Sequence, residues 1–125
     1  MPMDAPVGRL KRRPEFLRVA QRGRRFAAPG LVLQACTSAE AGGEIRVGLT
    51  ASRKVGGAVV RNRARRRLRA LVRPVLARHG AAGNDYVLVA RQDTATRPWK
   101  SLVEDLETAL RRLGRWRAKD PEKAP

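Results

Sequence analysis

Between Glu44 and Asp85 the chain carries 11 basic side chains and not one carboxylate. An ordinary solvated surface mixes signs to limit self-repulsion. A one-signed block this dense therefore expects an anionic partner. The imbalance is local. The first 80 residues hold 19 basic and 4 acidic side chains, a net +15, whereas the last 45 hold 9 and 7, a net +2. Nucleic acid is the first partner for such a block, ahead of an anionic membrane or a plain solvated face. Of the 28 basic residues 23 are Arg. The planar guanidinium suits bidentate phosphate contacts, although Arg enrichment beside so much Ala and Gly is also a composition habit.

A length of 125 residues supports one domain. Hydrophobic residues at 42% allow a modest core, and aromatics at 4% require that core to be Val, Leu and Ala. A single Cys and a single His exclude an internal disulfide, a Cys-rich zinc site and a paired-His metal site. Pro14-Glu15 follows the basic run 9–13 where a signal peptide would need an apolar segment, and no run of about 18 apolar residues exists. The expected location is cytoplasmic, with no membrane partner.

Residues 1–13 read as a flexible basic tail, with two prolines, a glycine and no apolar period. Pro14 and Gly23 frame a short helix with Phe16, Leu17, Val19 and Ala20 on its apolar side. Residues 31–36 read as a strand and 44–52 alternate as the next, expected to be its antiparallel partner, with a weak strand signal at 25–27. Gly56-Gly57 opens the basic helix. At 100° per residue Val60, Ala64, Leu68, Leu71, Val72 and Val75 share one face, and Arg63, Arg66, Arg69 and Arg73 the opposite one. Arg61, Arg65 and Arg67 flank that ridge. Like charges at these spacings each cost a few tenths of a kcal/mol, a repulsion that phosphates would neutralise. Pro74 should kink or end the helix. Residues 84–91 form an almost wholly apolar strand, suited to the centre of a sheet. The last helix, from Trp99 to about Trp116, buries Leu102, Leu106 and Leu110 and carries acids early and arginines late, matching its dipole. Residues 117–125 read as a disordered tail, leaving 14–116 as the domain.

No side-chain constellation for hydrolysis is visible, since the basic half has only Asp4, Glu15, Glu40 and Glu44, scattered over tail, helix and turn. His79 reads as a helix-terminal residue and Cys36 as a small buried hydrophobe. Gly56 and Gly57 either let backbone N–H groups approach a phosphate or form a plain turn. Asn62, a poor helix former between Arg61 and Arg63, either reads a base edge or 2′-OH or is a neutral surface residue.

Residues 52–69, Ser-Arg-Lys-Val-Gly-Gly-Ala-Val-Val-Arg-Asn-Arg-Ala-Arg-Arg-Arg-Leu-Arg, resemble the signature of the bacterial ribonuclease P protein subunit. That signature is a Ser-Lys-Lys-type strand end, a Val-Gly-Asn-Ala-Val turn and an Arg-Asn-Arg-x-Lys-Arg-type helix. The resemblance extends over roughly residues 9–113, taking in Leu10 to Gly23 and the strand at 85–91. It implies an α+β single domain, α-β-β-β-α-β-α, with a four-stranded sheet and a left-handed βαβ crossover, an exception to the usual hand. It also implies an enzyme only as the protein component of ribonuclease P, a ribonucleoprotein endonuclease. There a catalytic RNA subunit uses Mg2+, held mainly by the RNA, to remove the 5′ leader of precursor tRNA.

The partners so implied are the catalytic RNA and precursor tRNA, with no obligate protein partner, no organic cofactor and no metal held by the protein. Carried over by position, Arg53, Lys54, Arg61, Asn62, Arg63, Arg65, Arg66, Arg67 and Arg69 face the catalytic RNA. A cleft between the first helix and the sheet holds the leader, with Phe16 at one of its aromatic positions. Ala20 and Gln34 stand where other members carry aromatics, so the cleft is expected to rely on Arg18, Arg22 and backbone contacts, with Gln34 in its lining. A structural RNA-binding protein of ribosomal type would explain charge and size equally well, but not the ordered motif. A nucleoid-type DNA binder would instead prefer duplex DNA.

Overall fold

A computed structural model describes residues 4–117. The elements run β1 (Val7–Arg9), α1 (Arg13–Arg22), β2 (Arg24–Ala27), β3 (Leu31–Thr37), β4 (Ile45–Thr50), α2 (Ala58–Leu71), β5 (Asn84–Ala90) and α3 (Trp99–Arg112). One mixed sheet has the order β1-β4-β5-β3-β2. β5 pairs in parallel with β4, setting Val47 beside Tyr86, and antiparallel with β3, setting Leu33 beside Leu88. The near-continuous apolar run of β5 therefore sits at the centre, buried on both faces, as its composition requires.

Two expectations are corrected here. Residues 31–36 and 44–52 form strands but do not pair with each other, because β5 lies between them. The sheet also has five strands rather than four. The additional one, β1, falls within the segment read as a flexible tail and pairs in parallel with β4, Val7 beside Ile45. Around it Ala5 and Leu10 are buried, and the Ala5 N–H donates to the Ala77 carbonyl at 2.8 Å. At the other end, Arg117 donates its backbone N–H to His79. Residues 118–125 of the expected C-terminal tail lie outside the described residues.

Alternation along the strands builds two cores. On one face Leu31, Leu33 and Ala35 of β3, Ile45 and Val47 of β4, and Tyr86, Leu88 and Ala90 of β5 pack under α2 and α3. α2 contributes Ala64, Leu68 and Leu71, and α3 contributes Leu102, Leu106, Ala109 and Leu110. The other face is smaller: Val19 and Phe16 of α1 cover Leu10, Cys36 and Val87. Cys36 is one of the buried apolar groups, as expected. Tyr86 has its hydroxyl pKa raised, chiefly by burial, and donates to the Ala81 carbonyl at 2.7 Å. Pro74 shapes the end of α2: the α-helix stops at Leu71, and Val72–Ala77 widens into a π-helical turn that accommodates a residue with no N–H. Among the described residues no helix is long and apolar enough to cross a membrane.

Candidate nucleic-acid interface

The carboxylate-free segment delivers most of its charge to solvent. Of its 11 basic residues, Arg46 and Arg78 pair with carboxylates, and the other nine have no ion pair among the described residues. α2 is placed by its buried stripe of Ala64, Leu68 and Leu71, which turns Arg63, Arg66, Arg69 and Arg73 outward as an exposed ridge. Arg53 and Lys54 lie exposed in the 3-10 turn Arg53–Val55 just before the helix. Gly56 joins that turn to α2 at φ 148°, a conformation side chains rarely adopt, and a Cβ there would press on Val60. Gly57 is the N-cap and no side chain caps it, so the first N–H groups of α2 receive no side-chain acceptor.

The flanking residues behave differently from the ridge. Arg65 donates to Asn62 Oδ1 at 3.1 Å and reaches the Ala51 carbonyl at 3.5 Å. Asn62 thus spends its oxygen on Arg65, while its residue remains exposed. Arg61 is half-buried and its Nε has no hydrogen-bond partner among the described residues. Arg67 turns inward: its guanidinium donates to the carbonyls of Thr94 (2.6 Å) and Arg97, 6.0 Å from the Trp99 ring centroid. It pins α2 to the segment leading into α3.

The four residues expected in the leader cleft do not converge on equal terms. Phe16 packs against β4 where Gly48 leaves room, since a Cβ at that position would collide with the ring. Gln34 is half-buried on β3, on the side of the sheet that α1 covers, opposite Arg25 of β2 and Val87 of β5. Arg18 is held against the sheet, donating to the Thr37 carbonyl at 3.0 Å and lying 3.6 Å from Asp85. Arg22 is exposed at the end of α1.

Sequence reading missed a polar cluster beneath α1. Arg46 on β4 forms a two-pronged pair with Asp85 on β5 (2.8 and 2.7 Å) and also reaches Glu15 at 3.1 Å and Glu40 at 3.4 Å. Asp85 is only 1% exposed. Its hydrogen bond, ahead of the surrounding negative charge, raises the already high pKa of Arg46. Glu15 is held below the usual carboxylate range, first by the backbone N–H groups of Arg12 and Lys11, which its Oε1 accepts at 2.9 Å each. These carboxylates converge on a guanidinium, which does not fit them to hold Mg2+. Among the described residues no group of three or more His, Cys, Asp or Glu side chains is arranged for a metal ion.

A family model described as Ribonuclease P matches residues 6–114. The chain belongs to the ribonuclease P protein family. With that family it is a component of the endoribonuclease that matures the 5′ ends of tRNA. The chain is 47% identical over 126 residues to the ribonuclease P protein component of Paramagnetospirillum magneticum, covering 98% of this chain and 95% of the relative. It is 50% identical over 106 residues to that of Gluconacetobacter diazotrophicus, covering 85% and 90%. Among solved structures, the Staphylococcus aureus RNase P protein superposes with a TM-score of 0.73 at 25% identity, over 87% of this chain and 97% of that one. The Thermotoga maritima RNase P protein superposes with 0.67 at 24% identity, over 84% and 94%.

Proposed function

We propose that the α2 ridge, with Arg53 and Lys54, binds the catalytic RNA of ribonuclease P, and that the α1 side of the sheet receives the 5′ leader of precursor tRNA. The observation that carries this reading is the ridge itself. Arg63, Arg66 and Arg69 stand exposed on a helix whose other face is buried, and among the described residues none of them has an ion pair. A fold that leaves such charge uncompensated gains from a polyanion what it loses to self-repulsion. In this reading Arg61, Asn62 and Arg65 extend the surface, and Arg67 acts as a positioning residue that fixes the angle of α2. Phe16, Gln34 and Arg22 line the leader side, while Arg18 holds α1 in place. Mg2+ belongs to the RNA, which breaks the phosphodiester bond.

Reconstitution tests the reading. Added to the catalytic RNA at low magnesium, the protein should accelerate cleavage of precursor tRNA and tighten its binding, more for a long leader than for a truncated one. No stimulation over RNA alone overturns it.

A further inference from the structure

At the edge of the sheet where β1 stops and β4 continues to Thr50, a cavity of about 630 Å³ opens between the far end of the exposed ridge and Phe16 of α1. Its floor is apolar, made by Leu10, Val47, Leu49 and Val72, with Phe16 at one end. Its rim is cationic, made by Arg9 from β1, by Arg65 and Arg69 from α2 and by Arg73 from the π-helical turn that follows it, and no carboxylate lines it. Arg9, Arg69 and Arg73 are exposed and have no ion pair or side-chain hydrogen bond among the described residues.

An apolar floor inside a ring of guanidinium groups selects for a two-part ligand. Inorganic phosphate would satisfy the rim and leave the floor wet. A purely apolar guest would leave the repulsion among the arginines in place. A nucleotide does both, placing its base on the floor and its phosphates at the rim. The volume falls within the range of about 300–1,000 Å³ found for small-molecule sites. Arg69 and Arg73 continue the ridge that starts at Arg63, so a strand lying along that ridge arrives at the cavity.

We infer that this cavity takes one unstacked nucleotide of the catalytic RNA, its base against Val47 and Leu49 and its flanking phosphates against Arg9, Arg69 and Arg73. The inference rests on reading α2 as the face that meets the catalytic RNA.

Ala70 on α2 and Val7 on β1 both line the cavity and are both exposed, so a large side chain at either position fills the hollow without entering the buried core. Affinity for the catalytic RNA, measured without precursor tRNA, should fall about ten-fold for Ala70→Trp and for Val7→Trp at unchanged melting temperature. Thr108→Trp on the exposed side of α3 should bind as the parent does. In dimethyl sulfate probing of the complex, one base protected by the parent protein should become reactive with either filled variant. Parent-like affinity in both filled variants overturns the inference, while loss of binding in Arg63→Ala would still uphold the α2 reading. Loss with Ala70→Trp alone marks a clash on the helix surface and also overturns it. So does an effect confined to leader-length dependence, which would make the leader the occupant.

Discussion

Arg46 and Arg66 carry the same guanidinium and use it in opposite ways. Arg46 lies on β4 with Asp85, Glu15 and Glu40 around it, and its charge is consumed in fixing α1 to the sheet. Arg66 stands on α2 with solvent around it and no partner among the described residues. Arg67, next in sequence, belongs with Arg46, because the helix turns it toward the carbonyls of Thr94 and Arg97. Net charge counts all three alike. What separates them is whether the fold supplies an acceptor, and only the unsupplied ones are left for an external anion.

The contrast can be broken in order of effect. Arg46→Ala leaves the buried Asp85 with only Arg18, 3.6 Å away, in place of its two-pronged pair and should cost about 3–5 kcal/mol in denaturant unfolding. A loss under 1 kcal/mol would place Arg46 with the solvent-facing set. Arg67→Ala removes the donor for two carbonyls and should cost about 2–3 kcal/mol of stability. RNA affinity measured well below its melting temperature should stay near the parent's. Arg63→Ala should do the reverse, leaving thermal stability unchanged and costing about 1 kcal/mol of RNA binding. The slope of log affinity against log salt should then fall by about 1.

The smallest effect belongs to Glu15. Its folded-state pKa is lowered, so the stability it contributes is complete above its ordinary value of 4.5 and disappears as pH falls through the lowered one. The stability gap between the parent and Glu15→Gln should therefore be open at neutral pH and close on acidification. A gap that persisted after Glu15 is protonated would mean that shape, not charge, holds the start of α1.

Local pattern made much of this fold legible. Pro14 and Gly23 bracket α1, the stripe at 64, 68 and 71 orients α2, and the apolar run at 84–90 announces a central strand. β1 was not legible, because Val-Gly-Arg shows no alternation. It is a strand only because β4 offers it an edge. The partnering of β4 was equally hidden, since alternation reports which face a residue takes and says nothing about the neighbouring strand. Sequence spacing did put Arg63, Arg66, Arg69 and Arg73 together on the face that the structure leaves exposed. It could not tell Arg67 from Arg66, because the Thr94 and Arg97 carbonyls that receive Arg67 lie far along the chain. Arg46 and Asp85 likewise stand far apart in sequence, and nothing local couples them.

The central place of β5 has a consequence during synthesis. Until residues 84–90 emerge from the ribosome, the β1–β4 pair and the β2–β3 hairpin have no strand to join them. The nascent polypeptide is by then already strongly basic, with its sheet still in two halves. Completion of one short apolar segment is what welds those halves into a single platform for the helices.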